Sequence, residues 1–383
     1  MRNFLITVFM LAITLSLNAQ GYQRVRFFDN AYVEASGFFG TYFSVKDEAK
    51  DISFSVSGAD LRFGWYTAGI REWHQDFYKP KAGFGISYFN VGKEVKDWLG
   101  TPVAFYGYLA VPLLTQKGFQ FEIDASAGFA LGVNPYDAQD NPENILFGSS
   151  LNAYAGLKAD ASFSLGKNFD LFVSGGIKSL FNGNMVLPNI GMNALNGSFG
   201  LRYYPTGYDL NPESHHFIED NIWSVDIFAG AGKSASGVGD SSRTFVQTYS
   251  LGFNVQLTNY NKVGIMADFF TNYSSEPDSL RVPYELYSMG AGVSHELMIG
   301  RLSLLTQLGY SYWQYLKDEP KFYYRVGLRY RVLRNTYLSA ALRTYTKQAV
   351  NFEFGINQRI VFRFNDRVSG FEKRERLLRN LGN

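Results

Sequence analysis

The sequence contains no cysteine, which excludes a disulfide framework and the lipidated cysteine of a bacterial lipoprotein. Beyond the N-terminal segment, no apolar run approaches the ~20 residues that a membrane-spanning helix needs. The formal net charge of +2 gives no whole-chain indication of nucleic-acid binding. These features exclude disulfide-rich secreted domains, lipoproteins and helical membrane proteins.

The N-terminal segment has the layout of a cleavable export signal. Arg2 supplies the positive charge, the stretch from Phe4 to Leu17 is apolar, and small residues up to Ala19 offer a cleavage site. The apolar stretch is too short for a comfortable transmembrane helix. We therefore predict a signal peptide over residues 1–19 and an exported protein.

The composition of the chain is that of a membrane barrel. Hydrophobic residues make up 46% of the chain, yet the mean hydropathy is only −0.14. Aromatic residues reach 17%, with 34 Phe and 26 Tyr. Such an aromatic excess suits strands that have a lipid-facing side and aromatic girdles at both membrane interfaces.

Apolar and polar residues alternate along most of the remaining chain, which is the period of a β-strand. From Phe119 to Phe129 the apolar residues share one face, whereas Gln120, Glu122 and Asp124 share the other. In a soluble sandwich the polar face would meet water. Long strands with this aromatic content instead favour a membrane barrel with an apolar exterior and a polar lumen.

About sixteen such segments can be counted, an even number as in bacterial outer-membrane barrels. We predict an all-β fold, a closed antiparallel transmembrane β-barrel over residues 20–365 in the bacterial outer membrane. Two linkers, 70–81 and 205–220, are long although this scheme places them on the periplasmic side, where turns are usually short. Two smaller barrels joined at 205–220 are therefore a second possibility. Residues 366–383 are predicted to form a basic periplasmic tail.

The most distinctive motifs are Asn141–Asn144, Lys178–Gly183 and Leu187–Asn193, which flank three consecutive predicted strands. Together with Glu72–Gln75, they resemble the lipid A deacylase family of outer-membrane barrels, also called acyloxyacyl hydrolases. The resemblance covers residues 60–205 and is weaker afterwards.

Members of that family carry His-x-Ser-Asn-Gly at the end of this strand and an acidic residue about a dozen residues later. The resemblance implies ester hydrolysis, in which the serine attacks an acyl carbonyl, the histidine accepts its proton and the acid orients the histidine. In this sequence the histidine position is Ser179, the serine position is Phe181, and the acid position falls near Asn193. Only Asn182 and Gly183 match the motif. The candidate site is therefore degenerate.

Strand alternation predicts which way these residues face. Continued from Phe169, the alternation puts Ser179 and Phe181 on the lipid-facing side, where an acyl chain would lie. The neighbouring Lys178 should point to the opposite face. Lys178 could replace the missing base only if the strand bulges there.

Three functions stay open at this point. The first is a barrel without catalysis that acts as a structural or lipopolysaccharide-interacting protein. The second is an active lipid A or phospholipid acyl-ester hydrolase with displaced catalytic residues, and the third is a porin or transport barrel. The expected partners are outer-membrane lipids, lipopolysaccharide and lipid A among them. We expect no nucleic-acid partner and no cofactor.

The four histidines are interpreted as incidental polar residues. His74, His215 and His216 fall in the two long linkers, and His295 lies near the periplasmic end of a predicted strand. No set of metal ligands surrounds them in the sequence, so we expect no metal site. The glycine-rich run that ends at Ser234 lacks the first glycine of a phosphate-binding loop.

Charged residues recur on the polar face of the last strands. We predict that they fill the lumen as a polar network, with a conducting pore lining as the alternative. These residues are Arg325, Arg329, Arg331, Glu353, Arg359 and Arg363.

Overall fold

The computed structural model describes residues 30–67, 72–208, 222–235, 243–273, 286–314, 320–345 and 349–363. Its sixteen antiparallel strands confirm the all-β barrel fold and the strand count. They form two closed barrels of eight strands, so the expectation of one large ring is corrected to the two-barrel alternative. The predicted signal peptide, the middle of the 205–220 linker and the basic tail lie outside the described residues.

The first barrel closes where its last strand pairs with its first. The register runs from Val33 opposite Tyr203 to Phe43 opposite Asn193. Its strands are β1 (Ala31–Phe43), β2 (Ser55–Tyr66), β3 (Lys81–Val91), β4 (Gly100–Gln116), β5 (Phe119–Val133), β6 (Asn152–Ser164), β7 (Phe169–Phe181) and β8 (Met192–Tyr203).

The second barrel closes in the same way, with Ile222 opposite Arg363 and Lys233 opposite Phe352. Its strands are β9 (Ile222–Ala235), β10 (Arg243–Gln256), β11 (Asn261–Tyr273), β12 (Leu286–Ile299), β13 (Leu302–Gln314), β14 (Phe322–Arg331), β15 (Thr336–Thr344) and β16 (Ala349–Arg363). Ring closure satisfies the backbone of every strand, which is what a hydrocarbon environment demands.

Two short helices lie in the connections of the first barrel. Helix α1 (Glu72–Asp76) lies in the 70–81 linker, and helix α2 (Lys93–Leu99) joins β3 to β4. Across the described residues, no helix is long and apolar enough to cross a membrane.

The two faces of the strands differ as the alternation predicts. Large apolar side chains point outward from both barrels, and Phe39 is 75% exposed. Glu34 and Ser36, which alternate with the apolar residues of β1, are buried in the lumen. An apolar exterior around a polar interior is the arrangement of a membrane barrel.

Bulky side chains fill the interior of the first barrel at the end that carries α2. The rings of Tyr106 and Tyr154 stack inside it, with centroids 4.9 Å apart. Val95 and Leu99 of α2 pack against the same buried cluster, together with Leu146 from the β5–β6 loop. Eight strands enclose a space just wide enough for side chains, so this filling is the expected outcome of the smaller ring.

Candidate functional site

The structure brings together the two residues that the sequence predicts at the family's histidine and acid positions. Ser179 on β7 lies directly opposite Asn193 on β8. The Ser179 hydroxyl donates a hydrogen bond to Asn193 Oδ1 over 2.9 Å. The pair therefore occupies the geometry of a base and its orienting acid, although neither residue can play those roles.

The third position, Phe181, follows on the same face of β7. Val173 and Ile177 on this face are 49% and 41% exposed, so the face points outward. The outward orientation of Ser179 and Phe181 agrees with the alternation of the sequence. A phenyl ring has no atom that can attack a carbonyl carbon, so this site has no nucleophile where the family has its serine.

Lys178 points into the lumen and cannot replace the missing base. Its ammonium group binds Asp60 Oδ2 at 2.7 Å and Ser87 Oγ at 3.0 Å. It also lies 3.4 Å from the ring centroid of Phe38. These contacts hold Lys178 on the opposite side of the strand from Ser179.

The residues that match the family motif form a connected loop scaffold. Asn189 Oδ1 accepts a hydrogen bond from the backbone N–H of Asn182 at 3.0 Å, and Asn182 Nδ2 donates to the Val186 carbonyl at 2.7 Å. The β5–β6 loop joins the scaffold, because Gly148 N–H donates to the Pro188 carbonyl at 2.6 Å. Buried asparagines therefore hold the loops around the candidate site together.

The side chain of Asn144 stabilises the conformation of the β5–β6 loop. Its side-chain oxygen accepts hydrogen bonds from the backbone N–H groups of Leu146 and Phe147, both at 3.1 Å. Phe147 in turn forms an isolated β-bridge with Asn189. The motifs around Asn144 and Asn189, separated in sequence, therefore meet at one end of the first barrel.

The second barrel covers the edge of this site. The ring of Phe181 stacks on the ring of Phe352 from β16, with centroids 5.8 Å apart. Asn184 Nδ2 donates a hydrogen bond to Ser234 Oγ of β9 at 3.2 Å. Gly183 lies against the Phe352 ring, and a Cβ atom at Gly183 would overlap with that ring. An aromatic ring from the second barrel therefore lies beside the position of the family's nucleophile.

A second contact joins the barrels at their opposite ends. Phe77, which follows α1, packs against Tyr260 in the β10–β11 turn, with ring centroids 5.1 Å apart. Trp73 of α1 lies against Gly300 in the β12–β13 turn. The 70–81 linker therefore forms an inter-barrel contact rather than a simple turn. The sequence carried no direct signal of this pairing.

Ion pairs fill the remaining lumen of the first barrel. Arg202 binds Glu34 at 2.8 Å and Glu122 at 3.3 Å, and Lys81 binds Glu122 at 2.8 Å. All four side chains are almost completely buried. Buried charges in such numbers persist only when they are paired.

The second barrel has a similar network. Asp226 and Glu296 both bind Arg359, at 2.8 and 2.7 Å, and both bind Lys262, at 3.2 and 2.5 Å. The predicted lumen network is confirmed for Arg325, Arg329, Glu353 and Arg359. Arg331 is instead exposed at the barrel rim, and the side chain of Arg363 lies outside the described residues.

Of the two described histidines, one lies in each barrel. His74 lies in α1, and its ring packs edge-on against that of Trp73. His295 lies on the outer face of β12, where Nε2 and Asn261 Oδ1 are 2.9 Å apart. His215 and His216 fall outside the described residues. Within the described ranges, no cluster of three or more His, Asp or Glu side chains could hold a metal ion.

A known family model matches the sequence of the second barrel. Residues 223–366 match the family model described as the C-terminal domain of acyloxyacyl hydrolase. Through its second barrel the chain is similar to the acyloxyacyl hydrolase family. The matched residues begin in β9, so the match coincides with the second barrel. The residues of the candidate site precede it, and their correspondence with the family's catalytic positions stays a prediction.

Solved structures with similar barrels share little sequence with this chain. OpdK of Pseudomonas aeruginosa is 10% identical, with a TM-score of 0.25 over 88% of this chain and 100% of that one. A triple mutant of Rhodopseudomonas blastica porin is 9% identical, with a TM-score of 0.19 over 86% of this chain and 100% of that one. No curated protein matches this chain.

Proposed function

We propose that this protein is a catalytically degenerate acyloxyacyl hydrolase of the outer membrane, which acts as a structural or lipopolysaccharide-interacting pair of barrels. The observation that carries the proposal is the state of the three family positions. Ser179 is hydrogen-bonded to Asn193, and Phe181 is stacked on Phe352.

The chemistry of these groups supports the loss of catalysis. Acyl-ester hydrolysis through the family's site needs a nucleophile and a base within hydrogen-bond reach of it. The Ser179 hydroxyl has no basicity at neutral pH, and the side-chain amide of Asn193 carries no charge to stabilise an imidazolium. Lys178, the nearest amine in the sequence, is held by Asp60 inside the lumen.

The surroundings support a retained lipid-facing role. The asparagine scaffold of Asn182 and Asn189 maintains the loops beside the site although no catalytic group remains to be positioned. The outer face of β7 stays apolar, as lipid contact requires. The filled lumens favour this role over a porin, because ion pairs occupy both interiors.

The test uses purified full-length protein in detergent with labelled lipopolysaccharide. We expect lipopolysaccharide to be retained by the protein on a sizing column without release of fatty acid, and no conductance in a planar bilayer. Fatty-acid release that disappears in Ser179→Ala, with the barrel still folded, would contradict the proposal. A steady conductance would support the transport alternative instead.

A further inference from the structure

A groove of about 850 Å³ crosses the outer face of the second barrel over strands β10 to β14. Valine side chains line it, among them Val263, Val293 and Val326, together with larger ones such as Phe253 and Tyr324. Its apolar walls fit a hydrocarbon chain.

His295 on β12, the middle strand of the groove, interrupts the apolar lining and lies at the same level as Val263. An ionisable side chain on a lipid-facing surface is costly and marks a functional position by default. Asn261 fixes the orientation of the ring through the hydrogen bond at Nε2. Asn261 is also the first residue of β11, so His295 lies near the level of the β10–β11 turn.

Two exposed arginines lie at the end of the second barrel that carries the β10–β11 turn. Arg301 in the β12–β13 turn and Arg331 at the end of β14 are both exposed. They are adjacent, because the backbone N–H of Arg331 donates to the Arg301 carbonyl at 2.8 Å. The turns of the second barrel at this end, residues 257–261, 299–301 and 332–335, contain no acidic residue, whereas α1, which packs against two of them, carries Glu72 and Asp76. Arginine side chains there can extend along the apolar surface toward a phosphate.

We propose that this groove binds an anionic glycerophospholipid. An acyl chain lies in the groove, the ester region reaches His295, and the phosphate meets Arg301 and Arg331. The site is separate from the proposed function, since it uses neither Ser179 nor Phe181. Failure of one proposal therefore leaves the other untouched.

The test measures lipids that remain bound to purified full-length protein by native mass spectrometry. The probes are phosphatidylglycerol, which is anionic, and phosphatidylcholine, which has the same chains and no net charge. We expect preferential retention of phosphatidylglycerol by the wild-type protein. Equal retention of the two lipids would overturn the proposal.

Two variants separate the groove from the charges. Val293→Trp fills the groove with an apolar side chain and should lower phosphatidylglycerol retention about tenfold, whereas Leu251→Trp, on the same outer face outside the groove, should not. Arg301→Gln and Arg331→Gln should each lower it about fivefold. Lys93→Gln at α2 is the charge control. If Val293→Trp has no effect in a folded barrel, attraction to the arginines alone explains retention and the groove site is refuted.

Discussion

The ring of Phe181 stacks on the ring of Phe352 at an angle of 19°, and this contact joins the two barrels at the candidate site. Phe181 is predicted to occupy the position of the family's nucleophile, and Phe352 lies in the region that matches the acyloxyacyl hydrolase C-terminal domain. If that prediction holds, the residue in place of the nucleophile also provides the aromatic surface for inter-barrel packing. Offset aromatic pairs of this kind contribute about 0.5–1.5 kcal/mol beyond their buried area.

Rebuilding the family's motif should recover weak hydrolysis. We expect the double variant Ser179→His, Phe181→Ser to release fatty acid slowly from lipid A, because it restores a base and a nucleophile on one face of β7. Adding Asn193→Glu should raise the rate, since a carboxylate would then orient the histidine. Adding Phe352→Ala should raise it again by making room for an acyl chain. Release is measured by mass spectrometry, and Ser179→His alone, without a nucleophile at Phe181, serves as the control.

Gly183→Ala should weaken the contact between the barrels. Gly183 has φ of +63°, which is unfavourable for alanine, and the added methyl group would overlap with Phe352. Gly118→Ala is the matched control, because its φ is +78° and no atom lies within 4 Å of its Cβ position. Unfolding by urea should show a larger destabilisation for Gly183→Ala than for Gly118→Ala. If Phe352→Ala does not reduce the difference in stability between the Gly183→Ala and Gly118→Ala proteins, overlap with the Phe352 ring is not the cause of the destabilisation.

Charge on the outer face should destabilise the second barrel according to depth. Leu251 in the middle of β10 and Leu257 just after it are 56% and 54% exposed. Leu251→Arg should cost about 2–4 kcal/mol at the midplane, whereas Leu257→Arg should cost about 0–1 kcal/mol near the interface. Folding into lipid vesicles measures both values. Equal costs would show that β10 does not span a bilayer as we describe.

Removing one member of a lumen network should be severe. Asp226→Ala leaves Glu296 as the one carboxylate that Lys262, Arg329 and Arg359 share among the described residues, so we expect a loss of about 3–5 kcal/mol. The exposed pair of Lys50 and Asp47 offers a control, and Asp47→Ala should cause no measurable change. Unfolding of the purified barrel in detergent compares them. A small loss of unfolding free energy for Asp226→Ala would show that water solvates the remaining buried charges.

The strands were predictable because alternation reports which face each residue occupies, and that pattern recurs sixteen times. The number of barrels was not predictable, because alternation does not say which strand pairs with β8. Bulky inward residues such as Tyr106 and Tyr108 on β4 were an available signal, since a wide pore would not accommodate them as a filled core. Helix α2 was missed because seven residues are too few for a clear helical period.

The candidate site was partly predictable. The resemblance to the family predicted Ser179, Phe181 and Asn193 as its site positions, and the outward face of Ser179 and Phe181 followed from strand alternation. Phe352 could not be predicted as a neighbour of Phe181, because no local pattern links strands of different rings. The same limit applies to Trp73 and Gly300, which meet across the barrels.

The most direct test of the account is the lipid A mass spectrum of cells that express the wild-type protein, compared with cells that lack the gene. We predict identical spectra, because the Ser179–Asn193 pair and Phe181 supply neither base nor nucleophile. Cells that express Ser179→Ala should give the same spectrum again. Loss of an ester-linked acyl chain with the wild-type protein, and its return with a folded Ser179→Ala protein, would identify Ser179 as a nucleophile and contradict the account.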